Sequence, residues 1–113
     1  MIYYHNPRCS KSRQGLALLQ GKKISFEIKE YLKEPLSKIE LKEIFSKLKM
    51  KPQDVVRKKE SIFKDLKLDQ KNLSDEDWID LIIQHPVLLE RPILASADKA
   101  VIGRPTEKLL KII

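Results

Sequence analysis

The sequence predicts an α/β fold on three observations. A short apolar strand runs straight into a helix, a second strand of alternating pattern follows, and two short strands near the end read as a hairpin. Residues 1–5, MIYYH, are apolar and aromatic and stop at the Asn6-Pro7 turn signal, which makes them the first strand. From Ser10 to Leu19, the apolar Leu16, Leu18 and Leu19 lie among Lys11, Arg13 and Gln14, with Gly21 as the C-cap of a first helix. In KISFEIKEY, residues 23–31, Ile24, Phe26 and Ile28 alternate with Ser25, Glu27 and Lys29, the period of a half-buried strand.

The middle of the chain is helical. SKIELKEIFSKLK opens with Ser37 as N-cap and Glu40 three residues later, and repeats Ile39, Leu41, Ile44, Phe45 and Leu48 at helical spacing. Pro52 starts a short turn through Val55 and Val56, and SIFKDLKL reads as another short helix. LSDEDWIDLIIQHP begins at Ser74 and places Asp75, Glu76 and Asp77 in the first turn, where the helix dipole favours acids. It ends before Pro86, and Trp78, Ile79, Leu81, Ile82 and Ile83 are its core candidates. PILASA and AVIG are the closing strands, joined around Asp98-Lys99, and PTEKLLKII is a final helix with Pro105 in its first turn. A right-handed crossover makes the first two strands parallel, and the hairpin completes a mixed four-stranded sheet.

At 113 residues the chain suits a single domain, residues 1–113. Hydrophobic content of 42% and charged content of 35% exclude a disordered or fibrous class. No apolar run reaches membrane-spanning length and the start lacks a signal-peptide pattern, so no membrane association and a cytoplasmic location are expected. The net charge of +7 favours an anionic partner without naming it. Nucleic acid is not expected, because the basic residues are spread along the chain without a recognition-helix motif. One cysteine and two distant histidines form no zinc-ligand spacing, so no metal is expected.

The chemistry concentrates in YHNPRCSKSR, residues 4–13. Cys9 follows the first strand and precedes the first helix, where backbone N–H groups lack intrahelical partners and favour an anion. A thiolate there gains from the dipole and from nearby His5, Arg8 or Arg13. Cys9 reads either as a small buried hydrophobe or as a reactive thiol, and the neighbours Arg8, Ser10 and Lys11 favour the second. His5 reads equally as a satisfied strand-end histidine or as a group acting on Cys9; His85, before Pro86, reads as a helix C-terminal cap. Arg57, Arg91 and Arg104 stand at breaks between elements. Each alone reads as solvated surface, but arginine is also the natural reader of tetrahedral oxyanions.

Four separated stretches, YHNPRCSKSR, VVRKKE, LIIQHPVLLERPI and VIGRPTE, resemble in that order the glutaredoxin-coupled arsenate reductase family, of the ArsC type. This branch of the thioredoxin-like superfamily also contains Spx-type regulators. The resemblance implies a thioredoxin-like fold with a large helical insertion, about residues 33–90, between the parallel strand pair and the C-terminal hairpin, and a cis peptide before Pro92. It implies Cys9 as nucleophile, His5 as the histidine that favours its thiolate, and Arg57, Arg91 and Arg104 as oxyanion-binding residues. Asn6, Ser12 and Arg13 fall in the supporting loop. The implied activity is conversion of arsenate to arsenite, with glutathione as co-substrate, glutaredoxin as partner and no bound cofactor. Ser12 stands where a two-cysteine redox loop has its second thiol, so the resolving sulfur comes from another molecule. The chain departs from the family at Ser10-Lys11, where a Gly-Thr pair is common. Two alternatives stay open: a glutathione-dependent thiol reductase with another substrate, and a non-enzymatic Spx-like regulator that binds RNA polymerase.

Overall fold

The computed structural model describes residues 1–113, which form two compact units: residues 1–34 with 91–113, and residues 35–90. The first holds a four-stranded sheet with strand order β2-β1-β3-β4, the thioredoxin-like arrangement. Strand β1 is Ile2–Tyr4, β2 is Glu27–Lys29, β3 is Ile93–Ala95 and β4 is Ala100–Ile102. Strand β1 runs parallel to β2, Tyr3 opposite Ile28, and antiparallel to β3, Tyr3 opposite Leu94; β3 and β4 form the antiparallel hairpin. Helix α1, Ser10–Gln20, connects the parallel pair, and Thr106–Ile112 closes the unit.

The core of this unit is Tyr3, Leu19, Leu94 and Leu109, with Leu16, Ile24, Phe26, Val101 and Ile112 packed against it. A Cβ on Gly103 would come within 2.9 Å of Leu109 and of Pro92, so the backbone there approaches as closely as glycine permits. The peptide before Pro92 is cis, as the family resemblance implies, and so is the one before Pro105.

The sequence pattern overstates two elements here. Strand β2 spans only three residues; Ile24 and Phe26 reach the core from the chain ahead of it, while Ile28 on this edge strand is 45% exposed. The closing helix is a 3₁₀ helix, with the Lys108 N–H bonded to the Pro105 carbonyl, and Leu109 is its buried anchor. Gly21 caps α1 in a right-handed conformation, φ −75°.

The second unit is helical: α2 is Lys38–Leu48, α3 is Ser61–Asp65 and α4 is Asp75–Gln84, with 3₁₀ turns at Pro52–Val55, Leu68–Gln70 and Pro86–Leu88. Both α2 and α4 begin with a capping box, Ser37 with Glu40 and Ser74 with Asp77, which satisfies otherwise orphaned N–H groups. Helix α2 buries Leu41, Ile44 and Phe45 and packs on α4, which buries Trp78, Ile79 and Ile82. Ile39 is 71% exposed, because two residues before Leu41 it falls on the opposite face of the helix. The rings of Phe63 and Trp78 stack with centroids 6.4 Å apart. No helix is long and apolar enough to cross a membrane.

Candidate functional site at the first strand-helix junction

The site is built in the first unit, where β1 ends and α1 begins. Cys9 is the N-cap of α1, with extended backbone at φ −96° and ψ 124°. Its own N–H bonds to the Asn6 carbonyl at 3.0 Å, and its carbonyl receives the Arg13 N–H at 3.0 Å. The sulfur is therefore presented from a fixed backbone, half-buried, at the end of the helix whose first N–H groups have no intrahelical acceptor.

Arg104 Nη2 lies 3.4 Å from the sulfur, and the Arg91 guanidinium and the N–H groups of Ser12 and Lys11 also favour its charged form. Burial pushes the thiol up, but the Ser12 N–H, Arg91 and the Lys11 N–H outweigh it, and the net result lies below the ordinary thiol value. The two arginines are themselves linked, since Arg104 Nε donates to the Arg91 carbonyl at 2.7 Å. Arg104 thus ties the backbone ahead of Pro92 to the sulfur.

The loop between β1 and α1 is organised around Ser12, which has no solvent exposure. Its hydroxyl accepts the Asn6 N–H at 3.0 Å and shares a 2.7 Å hydrogen bond with His5 Nδ1. Its carbonyl accepts the Tyr3 hydroxyl. Asn6 Oδ1 accepts the Arg8 N–H at 3.0 Å, closing the turn through Pro7, and Arg13 Nη1 donates to the Pro7 carbonyl at 2.9 Å. His5 continues the parallel ladder through its N–H to the Lys29 carbonyl at 2.9 Å.

His5 is 5% exposed, and burial holds its imidazole below the ordinary value; Glu30 opposes this in part, and Arg13 adds a smaller push in the same direction as burial. It is therefore neutral at neutral pH. The positive charge beside the sulfur comes from Arg91 and Arg104, while His5 reaches Cys9 by fixing Ser12.

Six of the singled-out residues, His5, Asn6, Cys9, Ser12, Arg91 and Arg104, are thus joined by hydrogen bonds within the first unit, and Arg13 braces the loop. Arg57 belongs to the second unit. There its Nε donates to Glu60 at 3.1 Å and its Nη1 to Glu90 at 2.9 Å. Its N–H bonds to the Leu88 carbonyl at 2.7 Å, and the Glu90 N–H bonds to the Val55 carbonyl at 2.8 Å, on either side of the Val56–Leu89 bridge. Sequence reasoning passed over Tyr3, Glu60 and Glu90. Glu60 carries a readable signal, standing three residues after Arg57, whereas Glu90 meets Arg57 from 33 positions away.

Comparison with known proteins places this geometry. The ArsC family model matches residues 4–112. An arsenate reductase of Haemophilus influenzae is 44% identical over 114 residues, covering 100% of this chain and 98% of its own length. One from Neisseria meningitidis serogroup A is 44% identical over 107 residues, covering 94% and 92% respectively. The solved structure of an arsenate reductase from Vibrio cholerae superposes with a TM-score of 0.94 at 39% identity, covering 99% of this chain and 96% of that one. With the motifs, the sheet order and near-complete coverage in agreement, the chain belongs to the ArsC family.

Proposed function

We propose that the chain is an arsenate reductase in which the Cys9 thiolate is the nucleophile. One observation carries this reading: the sole cysteine lies against two arginines, Arg104 Nη2 at 3.4 Å from its sulfur and Arg91, which helps draw its thiol below the ordinary value, in a chain whose relatives are named for arsenate. Those guanidinium groups suit a tetrahedral oxyanion, since each offers a fork of donors and stays charged. Arg57 is the third anion-binding arginine by family resemblance.

The reaction begins when the Cys9 sulfur attacks arsenic and displaces one oxygen as water, giving a Cys9–S–As(V) adduct with no change of oxidation state. Glutathione then displaces a second oxygen and becomes bound to arsenic through its sulfur. The thiolate of glutaredoxin attacks that glutathione sulfur, so a mixed disulfide forms and the electron pair of the broken S–As bond stays on arsenic, now As(III). Water cleaves the Cys9–S–As(III) bond, releasing arsenite and the Cys9 thiol. Ser12 supports an external electron source, because it leaves no second thiol in the loop to resolve the adduct. A free cysteine used in this way belongs in a reducing compartment, the cytoplasm.

The test is a coupled assay containing arsenate, glutathione, glutaredoxin, glutathione reductase and NADPH. Arsenate-dependent NADPH consumption is expected and should vanish in Cys9→Ser. No consumption, with an active control enzyme in parallel, would overturn the activity. Undiminished turnover without glutaredoxin would overturn the electron route.

A further inference from the structure

Tyr3 sits at the centre of β1 with no solvent exposure, packed among Leu19, Leu94 and Leu109. A phenol in such a core needs a partner for its hydroxyl, and that partner is the first turn of α1. The hydroxyl donates to the Ser12 carbonyl, with the Leu16 N–H near enough to act on the phenol oxygen. The oxygen therefore sits across the two groups that an undisturbed helix pairs with each other.

Gly15 is what admits it. A Cβ at position 15 would fall on the phenol oxygen and would also come within 2.9 Å of Leu109. A glycine inside a helix costs about 1 kcal/mol relative to alanine, so its presence here calls for a reason, and the hydroxyl supplies one.

We propose that Tyr3, admitted by Gly15, is a positioning residue for the Cys9 sulfur, acting through Ser12. The inference rests on reading Cys9 as the nucleophile. Ser12 is held at its hydroxyl by His5 and Asn6 and at its carbonyl by Tyr3, and its N–H, three residues into the turn that Cys9 opens, is among the groups that draw the thiol below its ordinary value. Without the phenol, the Ser12 carbonyl is left to the Leu16 N–H alone, and the first turn relaxes towards ordinary helical pairing, which moves the Ser12 N–H relative to the sulfur. The phenol remains a donor throughout the working range, because burial, reinforced by the Cys9 charge, pushes it up to about 12. The other groups facing the sulfur, Arg91, Arg104 and the Lys11 N–H, are untouched by a change at Tyr3.

The test is the pH dependence of Cys9 alkylation by iodoacetamide, which reads this thiol alone because the chain has one cysteine. Tyr3→Phe keeps the ring and removes the hydroxyl. It should raise the inflection by roughly half a pKa unit, about threefold less thiolate at pH values below it. Gly15→Ala should shift the inflection in the same direction, and by less in the Tyr3→Phe background, where the oxygen it displaces is gone. A merely core-filling Tyr3 predicts lowered stability with an unmoved inflection. That result in a folded Tyr3→Phe variant, or an equal Gly15→Ala shift in both backgrounds, would overturn the proposal. Alkylation does not involve arsenate, so absent turnover would count against the proposed activity alone, and an unmoved inflection against Tyr3 alone.

Discussion

Replacing Arg104 with alanine removes the donor 3.4 Å from Sγ and the 2.7 Å bond to the Arg91 carbonyl together. The thiol should then titrate higher, and the Michaelis constant for arsenate should rise by at least tenfold, since a hydrogen bond to a charged group contributes about 1.5–3 kcal/mol. Steady-state kinetics alongside thiol titration check both effects. His5 makes a separate prediction in stability. Its folded pKa is lowered, so its neutral form contributes fully above the unfolded value of about 6.5 and that contribution is lost as pH falls through the folded value. Urea unfolding should show stability declining as pH drops from 7 to 5, with a smaller decline in His5→Gln. The Cys9 term has the same sign: it is fully present above the unfolded thiol value of about 8.5 and is lost as pH falls through the depressed folded one. At this scale the sequence reveals the residues next to Cys9 but not how they act. His5 is a neutral brace for Ser12, and neutrality follows from burial, which local sequence does not display.

Among the elements, α2 and α4 are legible because their caps and apolar stripes lie within a few residues of one another. Ser37 and Glu40 announce one start, and the second capping box uses Asp77 in place of the usual glutamate. Ser74→Ala should cost about 1 kcal/mol, read as a lower denaturation midpoint with an unchanged slope. Strand β2 and the closing segment are less legible, because tertiary partners decide them. Ile28 fits a buried alternating pattern yet lies on an edge strand, and the 3₁₀ winding of Thr106–Ile112 accompanies the insertion of Leu109 beside Gly15 and Gly103. Leu109→Ala should therefore cost about 2–5 kcal/mol, a large loss for so short a segment, measurable as a drop in thermal midpoint.

For the molecule as a whole, the net charge of +7 bears on encounter with an anion. Steering acts before binding, so kcat/KM for arsenate should fall as ionic strength rises from 0.01 to 0.2 M while kcat changes little. The convergence of Arg104 on Cys9 spans 95 positions of sequence, and no periodicity or composition foretells it. It was legible only because four separated motifs appear together in family order, whereas the thiolate-favouring helix start was legible from residues 4–13 alone. The most direct measurement of the central claim is the rate of Cys9 alkylation against pH, with and without arsenate. A thiolate held for attack on a bound oxyanion predicts an inflection below the ordinary thiol value of about 8.5 and protection of the sulfur by arsenate. An inflection at or above that value, with alkylation indifferent to arsenate, would contradict it.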